Sequence, residues 1–528
     1  MIPDRPASGS PPRRVFVCHN KPPALDLQTL PSRCHCARMA RTANLQRWRS
    51  IPMRFNAVPI TLAVISLLPL AVHASTPVHS TATPTFDWPS WLALIIFCGA
   101  MLLAILEEKT DLHKSKPLLL AAGLIWALIA WHYQGNPQMP DAESVVRNHL
   151  LQFAELMLFL LVVMTYINAM NERRLFLALH HWMVFKGFSY RQLFWLSGAI
   201  SFFASPFLDN LSTPLLVGTA ILTLAREHNR FVGLACINIV VATNAGGVFT
   251  PSGDLSTLMV WQHRILTPQG MLDFPNLLSL ALPALLAWLV PTLLMHPFVP
   301  RGRLPQQHPE PCLRRGAFIV LLLLLATIAT GITFAHYLDL PAAIGMMTGL
   351  AYLQFYGYYL KRTHQLPEHN GDLQSGPIDS PDPFDFFHGV ARSQWDSLLF
   401  LAGLVLCIGG LAHLGWLASA ESLLYGNFGP TTANIMIGLY SAAIENVTTM
   451  LGVLAMEPQM SLGQWQLITL TTGTGGSLLA IGSVAGVVLM AQAGERYTFF
   501  SHLKWTPAIA LGYFIAIAAH VWLNAALF

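Results

Sequence analysis

Two short stretches of the chain place carboxylates where the surrounding residues are apolar. The first reads Ser205-Pro-Phe-Leu-Asp209-Asn210-Leu-Ser-Thr213-Pro214, and the second Ser441-Ala-Ala-Ile-Glu445-Asn446-Val-Thr448-Thr449. Both run acid, Asn, apolar, Ser or Thr, Thr. Each is followed by a glycine-rich break: Asn244-Ala-Gly246-Gly247-Val-Phe-Thr250-Pro251-Ser-Gly253-Asp254 and Gly473-Thr474-Gly475-Gly476-Ser477-Leu-Leu-Ala-Ile-Gly482-Ser483. Gly246, Gly247 and Gly253 align with Gly475, Gly476 and Gly482 at one constant offset of 229. An unpaired charge inside a membrane costs about 2.5–3.5 kcal/mol even on lenient scales. No Lys or Arg falls within the apolar segments to neutralise these acids. Each acid must therefore be protonated, face water or hold a cation.

The neighbouring residues suit a hard cation. Asn210, Ser212, Thr213, Asn244 and Thr250 offer neutral oxygens, and the Gly-Gly and Thr-Pro breaks free backbone carbonyls. Hard cations take oxygen ligands, and unwound backbone supplies them in transporters. The expected cation ligands are Asp209, Asn210, Thr213, Asn244, Thr250 and Asp254, followed by Glu445, Asn446, Thr448 and Thr449. Asp209, Asp254, Glu155 and Glu445 are the expected proton-coupling groups. If one carboxylate cluster takes either a proton or Na⁺ and cannot reorient while empty and charged, the two ions exchange across the membrane. Other acids and polar residues have blander readings. Glu155 near the start of a segment also fits a side chain that snorkels to the interface. Asp396 fits a helix start, where an acid meets the dipole favourably. Gly331, Gly345, Gly349 and Gly357 read as helix-packing glycines, and His336, His413 and His520 as packed or interfacial histidines.

The elements that carry these residues follow from composition. Of 528 residues, 54% are hydrophobic and 11% charged, with a formal net charge of +4. Typical soluble domains are about a quarter charged, so a disordered chain and a basic nucleic-acid binder are excluded, and the composition argues against a soluble enzyme. Apolar runs long enough to span a bilayer recur near 91–106, 117–132, 150–170, 193–225, 231–262, 276–299, 316–335, 341–360, 397–415, 429–456, 464–494 and 505–527. Segments 193–225 and 429–456 carry their acidic motif mid-way and read as re-entrant hairpins, since irregular backbone at membrane depth is tolerated where protein or a cavity surrounds it. With both hairpins, and the chain outside at Ser75, the inside loops hold 18 Lys and Arg while the outside loops hold only Arg147 and Arg264. This matches the positive-inside rule. Reading either hairpin as a single crossing would destroy that asymmetry.

The first hairpin then opens inside and the second outside, so the repeats are inverted, a recurring plan of secondary transporters. The expected fold is an all-α polytopic membrane protein with inverted repeats, two re-entrant hairpins and two discontinuous helices. Residues 1–52 read as an extension foreign to the rest, and 53–74 as a secretory signal peptide with a short apolar core and Ala-Val-His-Ala at 71–74. Residues 75–170 give N-terminal scaffold helices, 171–262 the first transport repeat, 263–395 scaffold helices and a cytoplasmic loop, 396–494 the second repeat and 495–528 a C-terminal helix. The scattered cysteines form no zinc pattern.

These motifs, from about Trp91 to Phe528, resemble the NhaD-type sodium/proton antiporters of the ion transporter superfamily. More distantly they resemble dicarboxylate/sodium symporters, with Asp209 and Glu445 where those carriers have Ser. The resemblance implies a scaffold and a transport domain, a homodimer, elevator-type alternating access, and residence in the inner (plasma) membrane of a bacterium, where the charge count above puts both termini of the mature chain outside. It implies Na⁺ or Li⁺ and H⁺ as transported substrates in a lipid bilayer, no enzymatic activity, no cofactor and no nucleic-acid partner. In the second repeat Thr474 and Ser483 stand where the first has an amide and an acid, which weakens that half-site in charge. Two other classes compete. A Na⁺-coupled symporter of an anion such as a dicarboxylate would need no carboxylate at the tips. An intramembrane aspartyl protease would need a complete Gly-x-Gly-Asp, which Ser252-Gly253-Asp254 only approaches.

Overall fold

A computed structural model of the chain describes residues 87–133, 142–225, 228–303, 313–363 and 386–528. The expected extension at 1–52 and signal peptide at 53–74 lie outside the described residues. The described residues belong to one compact unit, 71–528. They are almost entirely helical, with one two-stranded turn pairing Leu266–Thr267 with Gly270–Met271.

The main helices in chain order are α1 (Trp88–Ile105), α2 (Ser115–Tyr133), α3 (Ala142–Glu172), α4 (Leu175–Phe185), α5 (Tyr190–Ala204), α6 (Ser212–Leu224), α7 (Asn229–Gly247), α8 (Leu255–Gln262) and α9 (Ala281–Met295). They continue with α10 (Ala317–Tyr337), α11 (Ala342–Arg362), α12 (Trp395–His413), α13 (Asn427–Tyr440), α14 (Asn446–Met456), α15 (Leu462–Gly475), α16 (Val484–Ala493) and α17 (Thr506–Leu523). Among the described residues eight helical stretches are long and apolar enough to cross a membrane. The segment 193–225 is two helices, α5 and α6, of 15 and 13 residues. At 1.5 Å per residue neither reaches beyond about 23 Å, short of a hydrocarbon core about 30 Å thick. The segment 429–456 divides likewise into α13 and α14 at Ser441–Glu445. Gly429 has a left-handed φ of 73° before Pro430, so the helical part of this arm starts at the proline.

The two stretches repeat each other in side-chain detail. Ser205 Oγ donates to the Thr243 carbonyl at 2.7 Å, and Ser441 Oγ to the Thr472 carbonyl at 2.9 Å. A Cβ on Gly246 would lie 2.2 Å from the Phe202 carbonyl oxygen, and one on Gly475 2.0 Å from that of Gly438. In both stretches the first helix touches the last turn of the helix before the break at a place only glycine allows. The second helix of each stretch packs on the far side of the other break, α6 on α16 and α14 on α8.

The innermost helices are not the most apolar. α7 buries 17 of its residues and α15 buries every one, including Asn238, Thr243, Asn244, Gln464, Gln466, Thr469, Thr471, Thr472 and Thr474. Buried polar groups must be hydrogen-bonded, and most here are. Asn238, for example, donates to the Phe194 carbonyl and accepts from Trp288 Nε1 and Thr292 Oγ1. The long apolar helices α1 and α10 instead leave side chains such as Ile95 and Leu322 exposed, as a lipid-facing rim requires. Gly331 and Gly345 bring α10 and α11 into backbone contact.

Candidate ion-binding site

Around the breaks after α7 and α15 lie Asn210, Asn244, Thr250, Asp254 and Asn446. Helix α7 ends at Gly247 and the chain turns through Thr250 and Ser252, whose hydroxyls both donate to the Pro206 carbonyl, at 3.0 and 2.6 Å. The turn between α5 and α6 is thereby fastened to the first break. Asp254 then takes the N-cap of α8, accepting from Ser256 N at 3.3 Å and from Ser256 Oγ at 2.6 Å. Its carboxylate also reaches the start of α14, where Asn446 Nδ2 donates to both oxygens at 3.1 and 3.0 Å. Glu445, next to Asn446, is the carboxylate in electrostatic reach of Asp254. None of the ion pairs among the described residues includes Asp209, Asp254 or Glu445.

N-capping alone does not account for Asp254. Its counterpart Ser483 caps α16 through a hydroxyl, accepting from Gly486 N. A neutral side chain is enough for that task, so the charge at 254 exceeds it. Asp209 accepts from Ser212 N at 2.7 Å at the start of α6, a bond within its own tip. Glu445 occupies the matching position before α14 and makes no capping bond with its side chain. Asn210 Oδ1 accepts from Ser205 Oγ at 3.4 Å and lies against Gly247. Thr449 donates to the Glu445 carbonyl at 3.2 Å.

Three of the expected ligands hold buried oxygens with no hydrogen-bond partner: Thr213 Oγ1, Asn244 Oδ1 and Thr448 Oγ1. Leaving such an atom unpaired costs about 1–3 kcal/mol. Asn244 Nδ2 is spoken for, donating to Ser477 Oγ at 2.9 Å across the two breaks. Gly473, opposite Asn244 at the offset of 229, has Val248 Cγ2 2.3 Å and Asp254 Oδ2 3.3 Å from where a Cβ would sit, so the space of a second amide is taken by the Val248 side chain, with the acid beside it. The constant offset thus matches Asn244 with Gly473 rather than Thr474.

Glu155 is not placed with this group. It is half-buried on α3, in a cavity of about 300 Å³ near the C-terminal end of α8, with Gln262, Arg264, Asp273, His336 and Asp339 in the walls. Eight residues of helix, roughly 12 Å, separate that end from Asp254. Arg264 there faces Asp339 at 3.5 Å and His336 faces Asp273 at 3.6 Å. Asp396, its rough counterpart, starts α12 and accepts from Ser115 Oγ. His520 is buried against the Gly463 carbonyl.

Ser256 and Ser477 complete the arrangement, and sequence reading did not single them out as site residues. Ser477 directly follows the Gly-Gly of the second break, which was the available signal. His502 is a third. It is fully buried in the short helix Phe499–Leu503, and burial pushes its imidazole down to about 4.

A family model described as citrate transporter matches residues 51–355. The chain is 48% identical over 468 residues to the Na(+)/H(+) antiporter NhaD of Alkalimonas amylolytica, covering 86% of this chain and 95% of that protein. It is 47% identical over 475 residues to the protein of the same name from Vibrio cholerae, covering 88% and 98%. It is 29% identical over 432 residues to sodium/proton antiporter 1 of Arabidopsis thaliana, covering 79% and 69%. Among solved structures, a sodium proton antiporter from Methanocaldococcus jannaschii matches at 14% identity and a TM-score of 0.15, over 83% of this chain and 96% of that one. That likeness is too loose to bear on the fold.

Proposed function

This chain belongs to the NhaD-type sodium/proton antiporters, and from that membership we propose that it exchanges Na⁺ or Li⁺ for H⁺ by competition at the carboxylates of the two breaks. It is a multi-pass membrane transporter, not an enzyme. The observation that carries the mechanism is the set of buried oxygens without partners on Thr213, Asn244 and Thr448, in a region whose acids have no basic counter-ion. A cation held between such an oxygen and an acid meets both deficits. A proton on Asp254 or Glu445 removes the charge instead, and either loading lets the group move without a bare carboxylate. Glu155, at the far end of α8, belongs on this reading to the route by which ions reach Asp254.

In the same reading the two hairpins are re-entrant and oppositely oriented, and the unit of hairpins and broken helices moves against the scaffold helices in an elevator cycle. The protein works as a homodimer in the bacterial inner membrane, with the termini of its mature chain outside. The match to a citrate-transporter model supports uptake of a carboxylate anion, and a second reading is therefore Na⁺-coupled symport of an anion such as a dicarboxylate. An anion is poorly served by tips bearing Asp209 and Glu445, because like charges repel.

Everted vesicles holding a pH gradient separate the two. Addition of Na⁺ or Li⁺ is expected to collapse the gradient where K⁺ does not, and Asp254→Asn to abolish the collapse. Full Na⁺-driven proton movement in that variant would sink the mechanism, and Na⁺-driven uptake of labelled dicarboxylate would establish the other.

A further inference from the structure

The two breaks are closed by different means. After α7 the freed carbonyl of Val248 accepts from Thr257 Oγ1 at 2.9 Å, within the same repeat. At the offset of 229 the matching carbonyl is Ser477 and the matching hydroxyl position is Gly486. A Cβ on Gly486 would lie 2.0 Å from the Ala480 carbonyl oxygen, so no threonine fits there. The missing donor comes from outside the repeat. His502 Nε2 lies 2.9 Å from the Ser477 carbonyl oxygen. Thr506 Oγ1, from the start of α17, donates to the next carbonyl, Leu478, at 2.7 Å.

The tautomer of His502 follows from its neighbours. A carbonyl only accepts, so Nε2 carries the hydrogen. Nδ1 is then the acceptor for Tyr497 OH, 2.8 Å away. Tyr497 and His502 are both fully buried, and both ring nitrogens are used. The hydroxyl of the same Ser477 accepts from Asn244 Nδ2 at 2.9 Å, which leaves Asn244 Oδ1 as the atom without a partner.

We propose that His502 is a positioning residue of the cation site, standing in for the hydroxyl that the second repeat lacks and fixing, through Ser477, which atom of Asn244 is presented to the ion. This deepens the reading of Asn244 as a cation ligand and rests on it. The line runs Tyr497, His502, Ser477, Asn244, and ties the turn before α17 to the centre of the molecule without touching the ion.

The test uses Na⁺-dependent collapse of a pH gradient in everted vesicles, with the full chain and with protein level measured in the same membranes. His502→Met, which keeps the volume but loses the donor, is expected to raise the Na⁺ concentration for half-maximal exchange by about fivefold to tenfold, the effect of one lost hydrogen bond. Maximal rate and protein level are expected to stay within about twofold, because a positioning defect acts on ion binding rather than on turnover. His502→Gln retains a donor and is expected to restore the wild-type value. In a Ser477→Ala background His502→Met is expected to add nothing further, since the backbone that His502 holds reaches Asn244 only through the Ser477 hydroxyl. An unmoved half-saturation in His502→Met, or the same shift in both backgrounds, overturns the proposal. Should His502→Met fail to accumulate, Tyr497→Phe reads the same line, with a smaller rise expected and an unchanged value overturning it. Absence of exchange by the unmodified protein would overturn the ligand reading itself. Normal exchange with unmoved variants would overturn only the role of His502.

Discussion

At the scale of single residues, the carboxylates divide by what else they do. Asp209 and Asp254 each accept from a backbone N–H at a helix start, whereas Glu445 at the equivalent place caps nothing. Asn caps a helix about as well as Asp. Asp209→Asn is therefore expected to leave thermal stability in detergent within a few degrees of wild type while Na⁺-driven proton movement is lost. A matched fall in both would mark Asp209 as a structural cap. Asn446 Nδ2 contacts both carboxylate oxygens of Asp254, from the start of α14. Replacing it by Ala is expected to raise half-maximal Na⁺ by about tenfold, the effect of losing a hydrogen bond to a charged group. An unchanged value would separate the second tip from the site.

At the scale of elements, the breaks work because glycine lets one helix rest on the backbone of another. Gly475→Ala puts a Cβ 2.0 Å from the Gly438 carbonyl oxygen, and rigid backbone lies on both sides. Such overpacking is expected to cost about 1–3 kcal/mol and to lower the thermal midpoint. Gly452→Ala in α14 meets nothing within 4 Å and serves as the control, with a small gain expected from helix propensity. Equal behaviour of the two variants would show that the contact is not close. The turn after α16 adds a pH dependence. His502 is neutral in the folded state, with its imidazole pushed from 6.5 down to about 4 by burial. The unfolded chain binds the proton at higher pH, so this side chain contributes stability above about 6.5 that is lost as pH falls towards 4. Thermal melts across that window are expected to fall less steeply in His502→Gln; parallel curves would show that another group governs the acid limb.

At the scale of the whole molecule, the end of α8 meets the turn between α10 and α11. Arg264 faces Asp339 and donates to the carbonyls of Ala335 and Leu340, both at 3.0 Å, beside the cavity that holds Glu155. If the unit carrying α8 moves against the scaffold during exchange, these contacts must break in every cycle. Cysteines introduced at 264 and 339 and joined by a reducible bifunctional reagent are then expected to arrest exchange, with activity returning on reduction. Continued exchange by the linked protein would rule out that motion.

The sequence by itself determined that this is a membrane transporter, where its helices break, and which acids lie without a base. Those features are local: apolar run length, Gly-Gly and Thr-Pro punctuation, and the count of Lys and Arg between segments act through the chemistry of neighbouring residues. It was also enough to match Gly246 with Gly475 and Asp254 with Ser483, because both halves keep one offset. What tertiary structure alone decided is which groups meet. The bonds from Asn446 to Asp254 and from Asn244 to Ser477 span 192 and 233 residues, and Glu155 is placed near Arg264 rather than at the breaks. His502 carried no signal at all, since its task exists only because Gly486 leaves a carbonyl uncovered in three dimensions. Partner choice of this kind depends on how helices pack, and packing is set by many side chains at once, none of which names its neighbour in the linear chain.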